Sequence, residues 1–163
     1  MPVVNNITRL LDSRKIPYVT FELPVEKLGA AETARLLGVD SMLVFKTIVV
    51  ACCKPGKPIL AVIPGSHRVD LKLVAAFLGE KKVNLPTERE AEVMTGLQAG
   101  GISPLALINK GFRVVIACEA QNLSHLHISG GQRGINIKLP VKALADLTHA
   151  RFAAISVPEP EIS

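Results

Sequence analysis

The run Leu43-Val-Phe-Lys-Thr-Ile-Val-Val-Ala-Cys-Cys53 constrains the fold more than any other part of the chain. Apolar and β-branched side chains in both phases of a two-residue period are what a strand buried on both faces requires. The run therefore predicts a central strand over 43–53. One residue breaks its apolar character: Lys46 falls in phase with Val44, Ile48 and Val50. A lysine there has two explanations. Its stem can run along apolar surface at a sheet edge and free the ammonium in water. Alternatively it stands in a pocket, where a cationic donor can hold a phosphate or polarise a carbonyl.

The neighbouring segments supply partners for such a strand. Asn5 or Asn6 can cap a helix that buries Ile7, Leu10 and Leu11 and stops at Pro17. Residues 18–23 alternate as a strand, and 30–37 form a short helix with Gly38 placed to end it. The turn Lys54-Pro-Gly-Lys-Pro58 leads to a returning strand over 59–63. Asp70 caps a helix that ends near Gly79, and Thr87 with Glu90 has capping-box spacing for another that ends at Gly96. A shaped loop over 97–107 precedes strands at 112–118, 126–129 and 134–139. Pro140 fits the first position of a last helix over 141–147, and 153–157 adds a final strand. Tight turns between strands, intermixed with helices, point to an α/β (α+β) single domain. We expect a curled, mixed, barrel-like sheet surrounded by helices over 1–157, followed by a frayed tail over 158–163.

Composition narrows the function classes. A length of 163 residues, 48% hydrophobic, supports one domain with a real core. The net charge of +5 suits a polyanionic partner without requiring one. Aromatics are 4% and Trp is absent, which argues against a base-stacking platform, so phosphate contacts would carry any RNA affinity. Cys52, Cys53 and Cys118 form no CxxC motif, which disfavours a zinc ribbon. Cys52 and Cys53 point to opposite strand faces and should not pair with each other. The N-terminus lacks signal-peptide architecture, and no apolar stretch reaches the ~20 residues that span a bilayer. Reduced thiols and a cytoplasmic location are the expectation.

Two loops could carry chemistry besides Lys46. In Gly100-Gly101-Ile102-Ser103-Pro104 the glycines let the backbone approach a ligand and offer N–H groups to it, though an ordinary turn would read the same. Ser129-Gly130-Gly131-Gln132-Arg133-Gly134 is either a plain hairpin loop or a pocket rim that presents a hydroxyl and a guanidinium. His125 and His127 share one strand face without a third ligand nearby in sequence, so a metal site is disfavoured against a solvated pair.

The ordered set Val44-Phe45-Lys46-Thr47, Val69-Asp70-Leu71-Lys72, Thr95-Gly96, Gly100-Gly101-Ile102-Ser103-Pro104 and Ser129-Gly130-Gly131 with Arg133-Gly134 resembles the YbaK and prolyl-tRNA editing family, from about Ile7 to Ile155. The resemblance implies deacylation of mischarged tRNA by a fold that uses no metal and no cofactor. It makes the acceptor end of aminoacyl-tRNA the partner, and prolyl-tRNA synthetase a candidate one. No membrane partner is expected. By the same resemblance Lys46 and Gly101 are the catalytic positions. Leu28, Thr47, Gly100, Ile102, Ser103, Ser129, Gly130 and Asn136 are the substrate-binding ones. Leu28, Gln132 and Asn136 depart from the aromatic, lysine and aspartate usual in cysteine-specific members, which bears on the substrate more than on the reaction.

An aminoacyl ester is already activated, so such a site must position the 3′ adenosine and polarise the ester carbonyl rather than supply a strong nucleophile. The expectation is that Lys46 anchors phosphate or ribose oxygens and the Gly101 N–H meets the developing oxyanion. Water or the substrate's own thiol would attack, and the amino acid removed would be cysteine or another small one. Two other classes stay open: a catalytically silent binder of tRNA ends or of a synthetase, and a small-molecule enzyme that uses Lys46 as an imine-forming amine.

Overall fold

Local capping chemistry sets most helix boundaries. Asn5 and Thr8 form a capping box at the start of α1 (Asn6–Ser13), which buries Ile7 and Leu11. α2 (Ala30–Leu37) ends at Gly38, whose φ of 70° is the left-handed conformation a C-cap needs. Asp70 caps α3 (Leu71–Leu78), and Thr87 with Glu90 caps α4 (Glu88–Thr95). The last helix, α5 (Val141–Thr148), has Pro140 one position earlier than expected: Pro140 is the N-cap and also the last residue of a strand. The structure, a computed structural model, describes residues 3–52 and 56–160. Cys53 and the first two residues of the turn expected at 54–58 lie outside the described residues.

Among the described residues the strands form three sheets. In order along the chain they are β1 (Val19–Glu22), β2 (Phe45–Cys52), β3 (Ile59–Pro64), β4 (His67–Val69), β5 (Val83–Asn84), β6 (Arg113–Ala117), β7 (His125–Ser129), β8 (Ile135–Pro140), β9 (Arg151–Ala153) and β10 (Ser156–Pro158). The largest sheet has the order β5-β2-β3-β6-β9. It is antiparallel around β2 and parallel from β3 to β9. β1-β8-β7 is an antiparallel sheet of three, and β10 pairs with β4. The domain is thus mixed α+β, as expected. Among the described residues, however, the strands do not close a barrel. One bridge, Val44 to His127, joins the two larger sheets.

β2 begins at Phe45, because residues 41–43 form a 3-10 turn capped by Asp40. It is flanked by β3 on one side and by the short β5 on the other. Every residue of β3 is buried. Leu60 and Val62 join a core with Phe45, Val49, Ile116, Leu126, Ile128 and Leu144, while Ile59, Ala61 and Ile63 join a second core with Val50, Val74, Val115 and Ile155. Each fully buried Leu or Ile contributes about 1.5–3 kcal/mol. The strand expected at 153–157 is divided: β9 extends the large sheet and β10 pairs with β4, with Ile155 fully buried between them. β10 runs on to Pro158, which pairs with His67, and the Glu159 N–H donates to the Ser66 carbonyl at 3.0 Å. No helix among the described residues is long and apolar enough to cross a membrane.

One contact between elements positions the site. A Cβ on Gly65, in the turn after β3, would lie 2.0 Å from the Ala30 Cβ, so the first turn of α2 rests directly on that glycine. The Gly65 N–H donates to the Val44 carbonyl at 2.7 Å. The entry to β2 and the start of α2 are thereby held together.

Candidate active site

The outer edge of β2 is left open where β5 ends. β5 pairs with β2 at Ala51 and Cys52, and β7 bridges to Val44 just before β2 begins. Between them the edge carries main-chain groups with no strand partner on that side. A cavity of about 440 Å³ occupies the gap, within the size range of small-molecule sites. Val44 to Val49 all line it, in both alternation phases, so it meets the strand edge-on. The segment from Leu23 to Gly29 and the start of α2 form one wall. Leu85, Pro86 and α4 form another, and the 99–102 loop with the ends of β7 and β8 closes the third.

Lys46, Thr47, Leu28, Gly100, Ile102, Ser129 and Asn136 all line this cavity. They come from five separate stretches of the chain. Lys46 is half-buried: burial pushes its ammonium below the ordinary lysine range, and the negative charge of Glu159 pulls it part of the way back. Glu159 was invisible to sequence reasoning, which assigned it to a frayed tail. Only the pairing of β10 with β4 brings it near Lys46.

Three expected site residues have other places. Gly101 is buried, does not line the cavity, and its N–H donates to the Gln98 carbonyl at 2.8 Å. That donor is already engaged within its own turn. Gly101 is nonetheless confined to glycine, because a Cβ there would stand 2.8 Å from the Gln132 Cα. Ser103 is fully buried, and its hydroxyl accepts from the Leu105 N–H at 3.3 Å as the cap of a 3-10 turn. Gly130 is buried against Ile135, with its N–H bonded to the Ile135 carbonyl. All three shape the walls from behind.

Arg133 also differs from expectation. Its Nε donates to the Ala99 carbonyl at 2.6 Å, so it fastens the 99–102 loop rather than offering its guanidinium at the rim. The Ala99 N–H in turn donates to Glu92 Oε2 at 2.7 Å, tying the loop to α4. Ser129 Oγ accepts from the Gly131 N–H at 3.2 Å and makes a long contact of 3.5 Å to the Gly100 carbonyl. At the mouth an ion pair joins Lys27 to Glu88 across two walls.

His125 and His127, read as a solvated pair, have opposite environments. His125 is exposed, whereas His127 is 3% exposed and its Nδ1 lies 2.9 Å from Asn136 Oδ1. Its ring packs against Phe21 at 5.5 Å. Among the described residues no three His, Cys, Asp or Glu side chains gather as a metal site.

Among the groups that line the cavity, the Lys46 ammonium, the Asn136 amide and the Gly100 N–H, which no acceptor among the described residues takes, can donate, while the Thr47 and Ser129 hydroxyls can donate or accept. Glu26 and Glu88 also line it, Glu88 in its ion pair with Lys27, and among the described residues neither a histidine nor a cysteine does. Such a set stabilises negative charge that develops on a bound oxygen, and it offers no activated protein nucleophile.

A family model described as an aminoacyl-tRNA editing domain matches residues 26–147. The chain is 37% identical over 156 residues to EbsC of Enterococcus faecalis, a protein named as a Cys-tRNA(Pro)/Cys-tRNA(Cys) deacylase, with 94% of each chain covered. The crystal structure of the hypothetical protein APE2540 superposes with a TM-score of 0.84 at 23% identity, covering 94% of this chain and all of that one. A structure described as a trans-editing enzyme for prolyl tRNA synthetase gives a TM-score of 0.77 at 22% identity, covering 98% of this chain and all of that one.

Proposed function

The chain belongs to the aminoacyl-tRNA editing domain family, and from that premise we propose that it is a trans-editing deacylase that cleaves the ester of mischarged tRNA. The observation that carries the reading is the half-buried Lys46 ammonium in a cavity that the Asn136 amide and the Gly100 main chain also line. In this reading the acceptor end of the tRNA enters past the Lys27–Glu88 pair. Lys46 draws phosphate or ribose oxygens to the ester, and the Gly100 N–H, in place of the Gly101 N–H first expected, meets the carbonyl oxygen as charge develops. Thr47, Leu28 and Ile102 bound the space left for the amino acid, which favours cysteine or another small side chain. The similarity to proteins named for Cys-tRNA(Pro) and for prolyl-tRNA synthetase supports cysteinyl-tRNA(Pro) as substrate and that synthetase as partner.

The attacking group in this reading is water or the substrate's thiol, since among the described residues no cysteine or histidine lines the cavity. Attack by the thiol on its own ester carbonyl would close a ring, expel the tRNA hydroxyl and make the reaction lyase-like; attack by water makes it a hydrolysis. The test is a single-turnover deacylation assay over a panel of mischarged tRNAs. Release of a small amino acid from tRNA(Pro), with correctly charged prolyl-tRNA spared, is the expected result. Tight binding of the same tRNAs without ester cleavage would reduce the protein to a silent binder. A lysine of lowered pKa also suits imine chemistry, which borohydride trapping with a carbonyl ligand tests; under the deacylase reading Lys46 should stay unmodified.

A further inference from the structure

The three-stranded sheet turns Leu126, Ile128, Ile137 and Leu139 into the core and carries a polar row on its other face. Asn136 is paired with Phe21 on one side and with Ser129 on the other, so the three share a row; His127 lies two residues before Ser129 and has the same facing. The Val44 bridge to His127 helps cover this face, and His127 and Asn136 are 3% and 4% exposed.

Two such residues without a core role need their polar atoms satisfied. The contact between His127 Nδ1 and Asn136 Oδ1 at 2.9 Å satisfies one end of the amide. Among the described residues no protein acceptor takes the Asn136 Nδ2, yet no buried side-chain polar atom is left enclosed without a partner. The Nδ2 therefore opens to space that solvent or a ligand can enter, and the residue lines the Lys46 cavity. An amide can present either face, and only its fixed partner decides which. An imidazole that donates Nδ1–H holds Oδ1 inward and turns the NH2 outward. The Phe21 ring against His127 limits the freedom of the imidazole to swing away.

We infer that His127 is a positioning residue, which fixes the Asn136 amide with its NH2 toward the cavity, so that this position reads a hydrogen-bond acceptor of the substrate, such as the ester carbonyl or a ribose oxygen, and not an ammonium. The role rests on the deacylase reading of the same site; the orientation of the amide does not. A carboxylate at position 136 would reverse the preference, attracting the substrate ammonium and repelling oxygen acceptors.

Two measurements test the inference separately. Long-range 1H–15N correlation spectra of the histidine rings near neutral pH report the tautomer directly. His127 should carry its proton on Nδ1, and an Nε2–H tautomer overturns the inference, because the amide would then have to donate inward. In single-turnover deacylation, His127→Phe keeps a ring against Phe21 but removes the donor; the rate should fall about tenfold, the size of one lost hydrogen bond. His127→Asn, whose amide can place an N–H near the Nδ1 position, should recover most of that loss. If both variants lose activity only in proportion to their loss of thermal stability, the residue is merely structural and the inference fails. A wild-type chain that deacylates nothing removes the proposed function, and the tautomer then decides the amide orientation alone.

Discussion

Gly101 lies so close to Gln132 that a Cβ on the first would stand 2.8 Å from the Cα of the second. Two loops far apart in sequence therefore meet backbone to backbone behind the cavity wall. The contact gives a packing reason for a glycine at this position.

Gly101→Ala should cost about 1–3 kcal/mol of stability, because the neighbour is main chain and cannot rotate aside. Urea unfolding measures this. Deacylation should fall as well, since the shift is delivered to Gly100 and Ile102. A fully stable Gly101→Ala protein would show that the two loops are free to separate.

Lys46→Ala should lower single-turnover deacylation by about 10²–10³-fold, as expected for a lost charge at a developing oxyanion or phosphate. The melting temperature should hold, because the substitution also removes a poorly solvated ammonium. Lys46→Arg should not restore the rate, since a planar guanidinium does not fit where an ammonium does. As burial lowers the pKa of Lys46, activity that needs the ammonium should decline at alkaline pH before an ordinary lysine would titrate.

Burial likewise holds His127 below the ordinary imidazole value; the bond to Asn136 opposes this and the charge of Lys138 adds to it. The unfolded chain takes up a proton near pH 6.5, and the folded chain only at lower pH. The stabilising difference is complete above about pH 6.5 and is lost as pH falls from there toward the folded value. Thermal melts over this window should decline more steeply for the wild type than for His127→Phe, by up to about 1.4 kcal/mol per pH unit. Parallel pH profiles for the two proteins would contradict a neutral, buried imidazole.

Among the described residues no cysteine lines the cavity, and the Cys118 thiol is pushed up by burial and by the neighbouring Glu119. Replacing Cys52, Cys53 and Cys118 together should leave most deacylation intact. A cysteinyl ester should outpace the seryl ester of the same tRNA if the substrate thiol attacks, and match it if water does. Trapping of an acyl group on any protein cysteine would defeat both routes.

The helix caps were legible in the sequence because each is a contract among residues three or four apart. Asn5, Asp70 and the Thr87–Glu90 pair bond to their own first turns, and Gly38, Gly79 and Gly96 end helices with positive φ. Lys46 was legible for a similar reason: a charge within an alternating apolar strand declares itself in a single stretch. β4 and β5 were not legible. At three and two residues they are too short for a pattern, and they exist only as pairings with β10 and β2.

By itself the sequence determined the class of fold, the caps, the central strand and the lysine that interrupts it, since all of these rest on contacts within a few residues. Only the tertiary structure decided that the Gly101 N–H is spent on Gln98, that Arg133 holds a loop, that Glu159 stands near Lys46 and that His127 is buried against Asn136. A donor's target and a side chain's burial depend on which distant segment packs over it, and spacing along the chain carries no record of that.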